Sequence, residues 1–171
     1  MKTKTKNKIF FYLQGLIKNI SLPGFENLRT SLYRPFFKEL GKNVQICDGI
    51  TFKYPSDIII KDNCKIGASC FIVGLGGLEI QKYSLIGSGT KIVTSTHNAD
   101  KIDIPMYYQG LSTKPILIEE DVWIGFNSII IGGSIIRKGS IVGASAVITG
   151  KEIPEYSIAV GIPAKVIGSR K

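Results

Sequence analysis

The chain has little of what metal and redox chemistry requires. Among 171 residues there is one histidine, His97, one tryptophan, Trp123, and three cysteines, Cys47, Cys64 and Cys70, with no CxxC pair. That set does not supply a zinc site of ordinary spacing. Nothing in the cysteine count suggests an oxidising compartment either. Acidic residues are also scarce: 13 Asp and Glu against 22 Lys and Arg leave a formal charge of +9. Such an excess would suit nucleic acid if it were spread over the body of the protein. Instead, residues 1–42 hold nine basic and two acidic residues, whereas residues 43–171 hold thirteen and eleven. The nearly neutral part has neither a basic stripe with interleaved aromatics nor a groove-reading motif, so no nucleic-acid partner is expected. No apolar run is long enough to span a bilayer. The length indicates one domain, and a hydrophobic content of 44% can supply its core.

What the chain does have is a six-residue period. Ile118, Ile124, Ile130, Ile136, Val142 and Ile148 follow at that interval, and the small residues Val122, Ser128, Ser134, Ser140 and Ala146 stand two positions before the last five. A helix turns by about 100° per residue and would scatter these side chains, whereas a strand puts positions two and six apart on one face. The ladder also runs through Ile60, Ile66 and Ile72 and, after a two-residue slip, Ile80, Ile86 and Ile92; a fainter stretch from Val44 to Ile58 starts it. Cys64, Cys70, Ser84 and Thr90 fill the small slots there, so both cysteines are expected as small core residues, with Cys47 at a turn. Gly67, Gly87, Gly125 and Gly143 each follow an aliphatic residue, where they are expected to let the backbone turn tightly. Units of this kind cannot bury a face alone and must stack, which gives an all-β solenoid of about five coils. The ladder breaks once, between Ile92 and Ile118, and His97 stands at the start of the break.

Residues 1–42 are a separate basic helical segment ahead of the repeat body at 43–171. Lys2, Lys4, Lys6 and Lys8 precede an apolar run, and Ile9, Leu13, Leu16, Ile17 and Ile20 keep helical spacing up to a stop at Leu22-Pro23-Gly24. The segment lacks a small-residue cleavage site and reads as retained. Two roles are open to it: capping the end of the solenoid, or peripheral contact of residues 1–20 with an anionic membrane surface.

Four motifs carry a resemblance: DVWIG (Asp121 to Gly125), IVGASAVIT (Ile141 to Thr149), the pair Thr96-His97, and GIPAKVI (Gly161 to Ile167). Together, over residues 43 to 168, they resemble the hexapeptide-repeat acyltransferases, and within these the maltose, galactoside, nodulation-factor and capsular-sugar O-acetyltransferases. The resemblance implies a left-handed parallel β-helix with a short helical N-terminal segment and one long loop, 98–115. The hand comes from the resemblance, because the general preference for right-handed crossovers points the other way. It also implies acetyl-CoA as co-substrate, no metal, and a homotrimer with active sites between subunits. The expected compartment is the cytoplasm, at the inner face of the membrane if the N-terminal segment binds there.

By the same resemblance His97 is the general base, removing the proton from an acceptor hydroxyl as it attacks the thioester carbonyl. Imidazole suits the task because its pKa lies near working pH, and such a base contributes about 10²- to 10⁴-fold. Asp100, Asp103 or a backbone carbonyl could orient the ring. Trp123 points outward by strand alternation, and the family places this tryptophan beside the acetyl-CoA arm and the acceptor. CoA is expected along Gly125, Ala144 and Thr149, with Lys151, Lys165 and Arg170 as candidates for its phosphates. Tyr107 and Tyr108, in the long loop, could stack on a sugar or only pack the loop down.

The chain departs from the family pattern in places. Thr149-Gly150-Lys151-Glu152-Ile153-Pro154 is one residue longer than usual, which puts Lys151 out of step. Gly67 stands where the maltose and galactoside branch has an acceptor-binding asparagine, which argues against those two sugars. The leading expectation is O-acetylation of a saccharide hydroxyl in surface or exported polysaccharide biosynthesis. The alternatives are N-acetylation of an aminosugar, O-acetylation of an antibiotic, or a non-catalytic hexapeptide scaffold. A carbonic anhydrase on this fold would need three histidine ligands, and the chain has one.

Overall fold

A computed structural model describes residues 3–170; Lys2 and the side chain of Lys4, both part of the basic run, lie outside the described residues. Two helices, α1 (Thr3–Ile17) and α2 (Phe25–Tyr33), precede a stack of short strands. The first coil comprises β1 (Glu39–Leu40), β2 (Gln45–Ile46) and β3 (Thr51–Lys53), the second β4 (Ile58–Ile60), β5 (Lys65–Ile66) and β6 (Phe71–Val73), and the third β7 (Leu78–Ile80), β8 (Leu85–Ile86) and β9 (Lys91–Val93). A hairpin of β10 (Ser95–His97) and β11 (Leu111–Thr113) then leaves the stack. The fourth coil holds β12 (Ile116–Ile118), β13 (Trp123–Ile124) and β14 (Ile129–Ile131), and the fifth β15 (Ile135–Ile136), β16 (Ile141–Val142) and β17 (Val147–Thr149). The sixth has β18 (Glu152–Ile153) and β19 (Ser157–Gly161), and β20 (Ala164–Ser169) returns antiparallel to β19.

Corresponding strands pair in parallel, making three faces: A (β1-β4-β7-β12-β15-β18), B (β2-β5-β8-β13-β16-β19, with β20 at its edge) and C (β3-β6-β9-β14-β17). The solenoid therefore has about six turns rather than five. The extra turn comes from its two ends, where β1 and β19 carry too little of the hexad to register as repeats. Ile58 pairs with Leu78, twenty residues on, whereas Ile118 pairs with Ile136, eighteen on. The two-residue slip is thus a longer corner between faces C and A in the early coils, and the hairpin erupts from that same corner.

Every ladder position from Ile60 to Ile148 is buried, and so are the small slots, including Cys64, Cys70, Ser84, Thr90, Ser128, Ser134 and Ser140. The inward hydroxyls donate to corner carbonyls, as Ser84 Oγ does to Glu119 O at 2.8 Å and Ser128 Oγ to Gly125 O at 2.9 Å. That satisfies a polar group inside an isoleucine column.

The glycines after the aliphatic residues serve a different purpose from the one expected. Left-handed residues stand at other positions, among them a column of Asn63, Tyr83, Asp121, Gly139 and Tyr156 and a second of Ser69, Gly89, Asn127 and Ser145 two residues after these glycines, each donating its N–H to the coil before. A Cβ on Gly67 would sit 2.5 Å from Ser88 N, and one on Gly87 would sit 2.7 Å from Gly125 C and Phe126 N. Gly67, Gly87 and Gly125 are needed because successive coils touch backbone to backbone there, and not because the turn demands a positive φ; at Gly143 the close neighbour is the Val160 side chain, 2.7 Å from an added Cβ.

The helices cap the solenoid. The first coil leaves the outer edges of β1, β2 and β3 unpaired, and each is met by side chains. Gln14 of α1 takes both backbone groups of Phe52, accepting from its N–H at 2.7 Å and donating to its carbonyl at 3.3 Å. Arg29 of α2 donates to Ile46 O at 2.9 Å and to Ile20 O, and Thr30 accepts from Ile46 N–H. Arg34 donates to Leu40 O and Gly41 O. An edge that would otherwise invite further strands is closed. The core-facing stripe of α1 is offset from the expected one: Phe10 and Gln14 are buried with Leu13 and Ile17 packed beside them, while Ile9 and Leu16 face outward.

Candidate active site

The break in the ladder is a built arm. Its neck is fixed by Thr94, whose hydroxyl accepts from Gly76 N–H at 2.8 Å and donates to Val73 O at 2.9 Å, and by Lys114 N–H bonded to Thr94 O. A Cβ on Gly76 would meet Thr94 O at 2.6 Å, so this glycine is required where the arm leaves the wall. Beyond the neck, Ser95 pairs with Thr113, Thr96 with Ser112 and His97 with Leu111. The imidazole is exposed at the end of β10, on the last regular residue before the loop. Regular pairing fixes its backbone, while its ring stays open to a ligand.

The loop from Asn98 to Gly110 is held by a residue that pattern reading passed over. Gln109 donates to Lys101 O at 2.7 Å and Ile104 O at 2.6 Å and accepts from Lys101 N–H. Asn98 bridges the arm through Gln109 O and Ser112 Oγ. A glutamine inside an irregular loop gives no periodic signal, so only three-dimensional closure shows it. Tyr107 and Tyr108 stack edge to face at 5.1 Å and are both exposed, at 84% and 75%. They present their rings outward instead of packing the loop down. Among the described residues, neither Asp100 nor Asp103 has a hydrogen bond or ion pair to His97.

At the foot of the arm lies a cavity of about 270 Å³ lined by Thr94, Ser95, Thr96, Ser112, Lys114, Ile131, Gly132, Thr149 and Gly150. Thr149 is thereby brought beside the strand that carries His97, with Lys151 exposed two residues further on. The other expected site residues lie elsewhere within one chain. Trp123 projects from face B, half exposed, in a register column with Leu85, Ile141 and Ile158. Gly125 is buried at the corner between faces B and C, where a Cβ would sit 2.5 Å from Ala144 N; coil packing alone accounts for it, and only Ala144 of this pair is exposed. Lys165 is exposed on β20. Arg170 is engaged at the opposite corner, its Nη1 lying 2.8 Å from Asp121 Oδ2 and bonding Gly139 O.

No cysteine is poised as a nucleophile. Burial pushes the Cys70 thiol up to about 11 and raises Cys64 and Cys47 as well. At neutral pH all three are thiols, and the thiolate is the reactive form.

A solenoid of this geometry with one histidine-bearing arm matches known proteins over nearly its whole length. Residues 115–150 match the family model described as bacterial transferase hexapeptide (six repeats). The chain is 30% identical over 168 residues to YJL218W, a candidate acetyltransferase of Saccharomyces cerevisiae, covering 98% of this chain and 81% of that one. It belongs to the hexapeptide-repeat transferase family. The chain is 29% identical to the Escherichia coli dTDP-4-amino-4,6-dideoxy-D-glucose acyltransferase, spanning 83% of it, but spans only 44% of a candidate acetyltransferase of Mycobacterium tuberculosis to which it is 34% identical. The hexapeptide-repeat acetyltransferase VCA0836 of Vibrio cholerae, solved with acetyl-CoA, superposes with a TM-score of 0.87 at 28% identity, covering 98% of this chain and 88% of that one. A galactoside acetyltransferase solved with CoA gives 0.88 at 27%, covering 99% and 82%. These matches give the hand of the coil as left.

Proposed function

We propose that the protein transfers acetyl from acetyl-CoA to a saccharide hydroxyl, with His97 as general base. The observation that carries this reading is the arm: the single break in the solenoid holds the single histidine on a paired strand, exposed, and the residues just before it on that strand, Thr94 to Thr96, line a cavity that reaches Thr149. In the reaction His97 takes the acceptor's proton while the oxygen attacks the thioester carbonyl. A new C–O bond forms, the C–S bond breaks, and the imidazolium returns the proton to the departing CoA sulfur. No acyl-enzyme is required, in keeping with the raised cysteine thiols.

The active unit is a homotrimer, in which the arm of one chain meets face B of the next. Two observations support this. His97 and Trp123 lie on different parts of one chain, and the exposed Ile102, Met106 and Leu111 on the arm and the Leu85–Trp123 column on face B are apolar surfaces that favour burial. Joining them would complete a site from His97, Tyr107 and Tyr108 on one side and Trp123 and Ala144 on the other. Thr149, Lys151 and Lys165 would then lie along the CoA arm; Arg170, tied to Asp121, is the weakest of the phosphate candidates.

Thiol release from acetyl-CoA, measured against a panel of nucleotide sugars, free sugars and oligosaccharides, tests the reading. An alkali-labile product heavier by one acetyl group supports it; no acceptor-dependent thiol release from acetyl-CoA with any saccharide refutes it. Likeness to an aminosugar acyltransferase favours one second reading, transfer to a sugar amine. It predicts an alkali-stable product from the same assay.

A further inference from the structure

The N-terminal cap has two apolar faces, and the solenoid uses only one. α1 turns Phe10, Leu13, Gln14 and Ile17 toward the first coil. On its far side Ile9, Tyr12 and Leu16 stand at i, i+3 and i+7, with Tyr12 61% and Leu16 78% exposed and Phe11 beside them. α2 repeats the arrangement: Arg29, Thr30 and Tyr33 face the coil, while Leu28 and Leu32 are exposed. Because Gln14, Arg29 and Thr30 close the free edges of β3 and β2, the opposite helix faces point away along the solenoid axis. The result is an apolar end plate of two helices.

We propose that this end plate docks on an anionic lipid surface, standing the solenoid end-on against the bilayer. Charge identifies the occupant. Residues 1–42 carry nine basic and two acidic residues, and Lys8, Lys38 and Lys42 are exposed there. A second copy meeting this plate would bring like charge against like charge, whereas anionic headgroups neutralise it. No helix of the described residues is long and apolar enough to cross a membrane, so the plate rests at the depth of the headgroups. The inference is independent of the reaction, because the plate sits on the first coil and shares no residue with the arm, which leaves the stack between the third and fourth coils.

Co-sedimentation with phosphatidylcholine vesicles, with and without phosphatidylglycerol, tests it on the full chain. The parent should pellet with the mixed vesicles, remain in the supernatant with phosphatidylcholine alone, and be released by high salt. Tyr12→Glu/Leu16→Glu should bind at least about tenfold more weakly, with an unchanged melting temperature and unchanged acetyl transfer to a soluble acceptor. Leu28→Glu on α2 serves as the second variant if the first melts lower. Three results would each overturn the proposal: a parent that ignores anionic vesicles, variants that bind like the parent, or variants whose particle mass falls in solution, which would make the plate a self-contact.

Discussion

Replacing Gly87 by alanine should destabilise the protein even though it adds a single methyl group. The new Cβ would sit 2.7 Å from both Gly125 C and Phe126 N and 2.8 Å from Ile124 O. Carbon contacts settle at about 3.5–4.0 Å, so the third and fourth coils must separate locally by most of an ångström. All three neighbours are backbone atoms of a hydrogen-bonded coil, which rules out relief by a rotamer change. Overpacking of this kind costs about 1–3 kcal/mol, set against a gain of about 0.4–1 kcal/mol from stiffening the unfolded chain. The net is a loss of about 0.6–2 kcal/mol, or roughly 1–8 °C in melting temperature for a chain of this size. Gly15→Ala is the control. It lies in α1 with nothing within 4 Å of its added Cβ, so helix propensity should raise stability by about 0.5–1 kcal/mol. Both are read from urea midpoints and thermal scans. If Gly87→Ala proves as stable as the parent, glycine at these corners is not explained by coil contact.

Gln14→Leu keeps the size of the side chain but orphans both backbone groups of buried Phe52; a loss of about 2–4 kcal/mol in urea unfolding is expected. Tyr33 is fully buried, its hydroxyl has no partner among the described residues, and burial pushes its pKa up to about 12. The unfolded tyrosine ionises near pH 10, so stability is intact below that value and falls as pH rises toward 12; Tyr33→Phe should be at least as stable at pH 8 and should lose less between pH 8 and 11. Tyr107→Ala/Tyr108→Ala should raise the acceptor KM severalfold with little change in the KM for acetyl-CoA; an unchanged acceptor value would assign the rings to another role.

Much of this architecture was legible because a β-solenoid writes its cross-section into the sequence as a period. Ile60 to Ile148 and the small slots between them were placed inward by alternation alone, and Trp123 outward, and the structure agrees. The reasons behind the glycines were less accessible. Closeness between Gly87 and Gly125 is a contact between residues far apart in the chain, which local turn chemistry does not encode. The cap was legible as a helix but not in its facing, because Gln14 and Arg29 are polar residues buried for their hydrogen bonds, and hydrophobic periodicity discounts such residues. The arm gave two signals, the broken ladder and the lone histidine. Its closure by Gln109 and its neck at Thr94 and Gly76 follow no period and so were invisible until folded.

The central claim rests on the imidazole of His97, and acetyl transfer by His97→Ala measures it most directly. The account predicts a fall of about a hundredfold or more in acceptor-dependent thiol release, with the melting temperature and CoA affinity of the parent. Activity within about tenfold of the parent in that same well-folded variant would contradict it, because direct attack without a base should not proceed at such a rate.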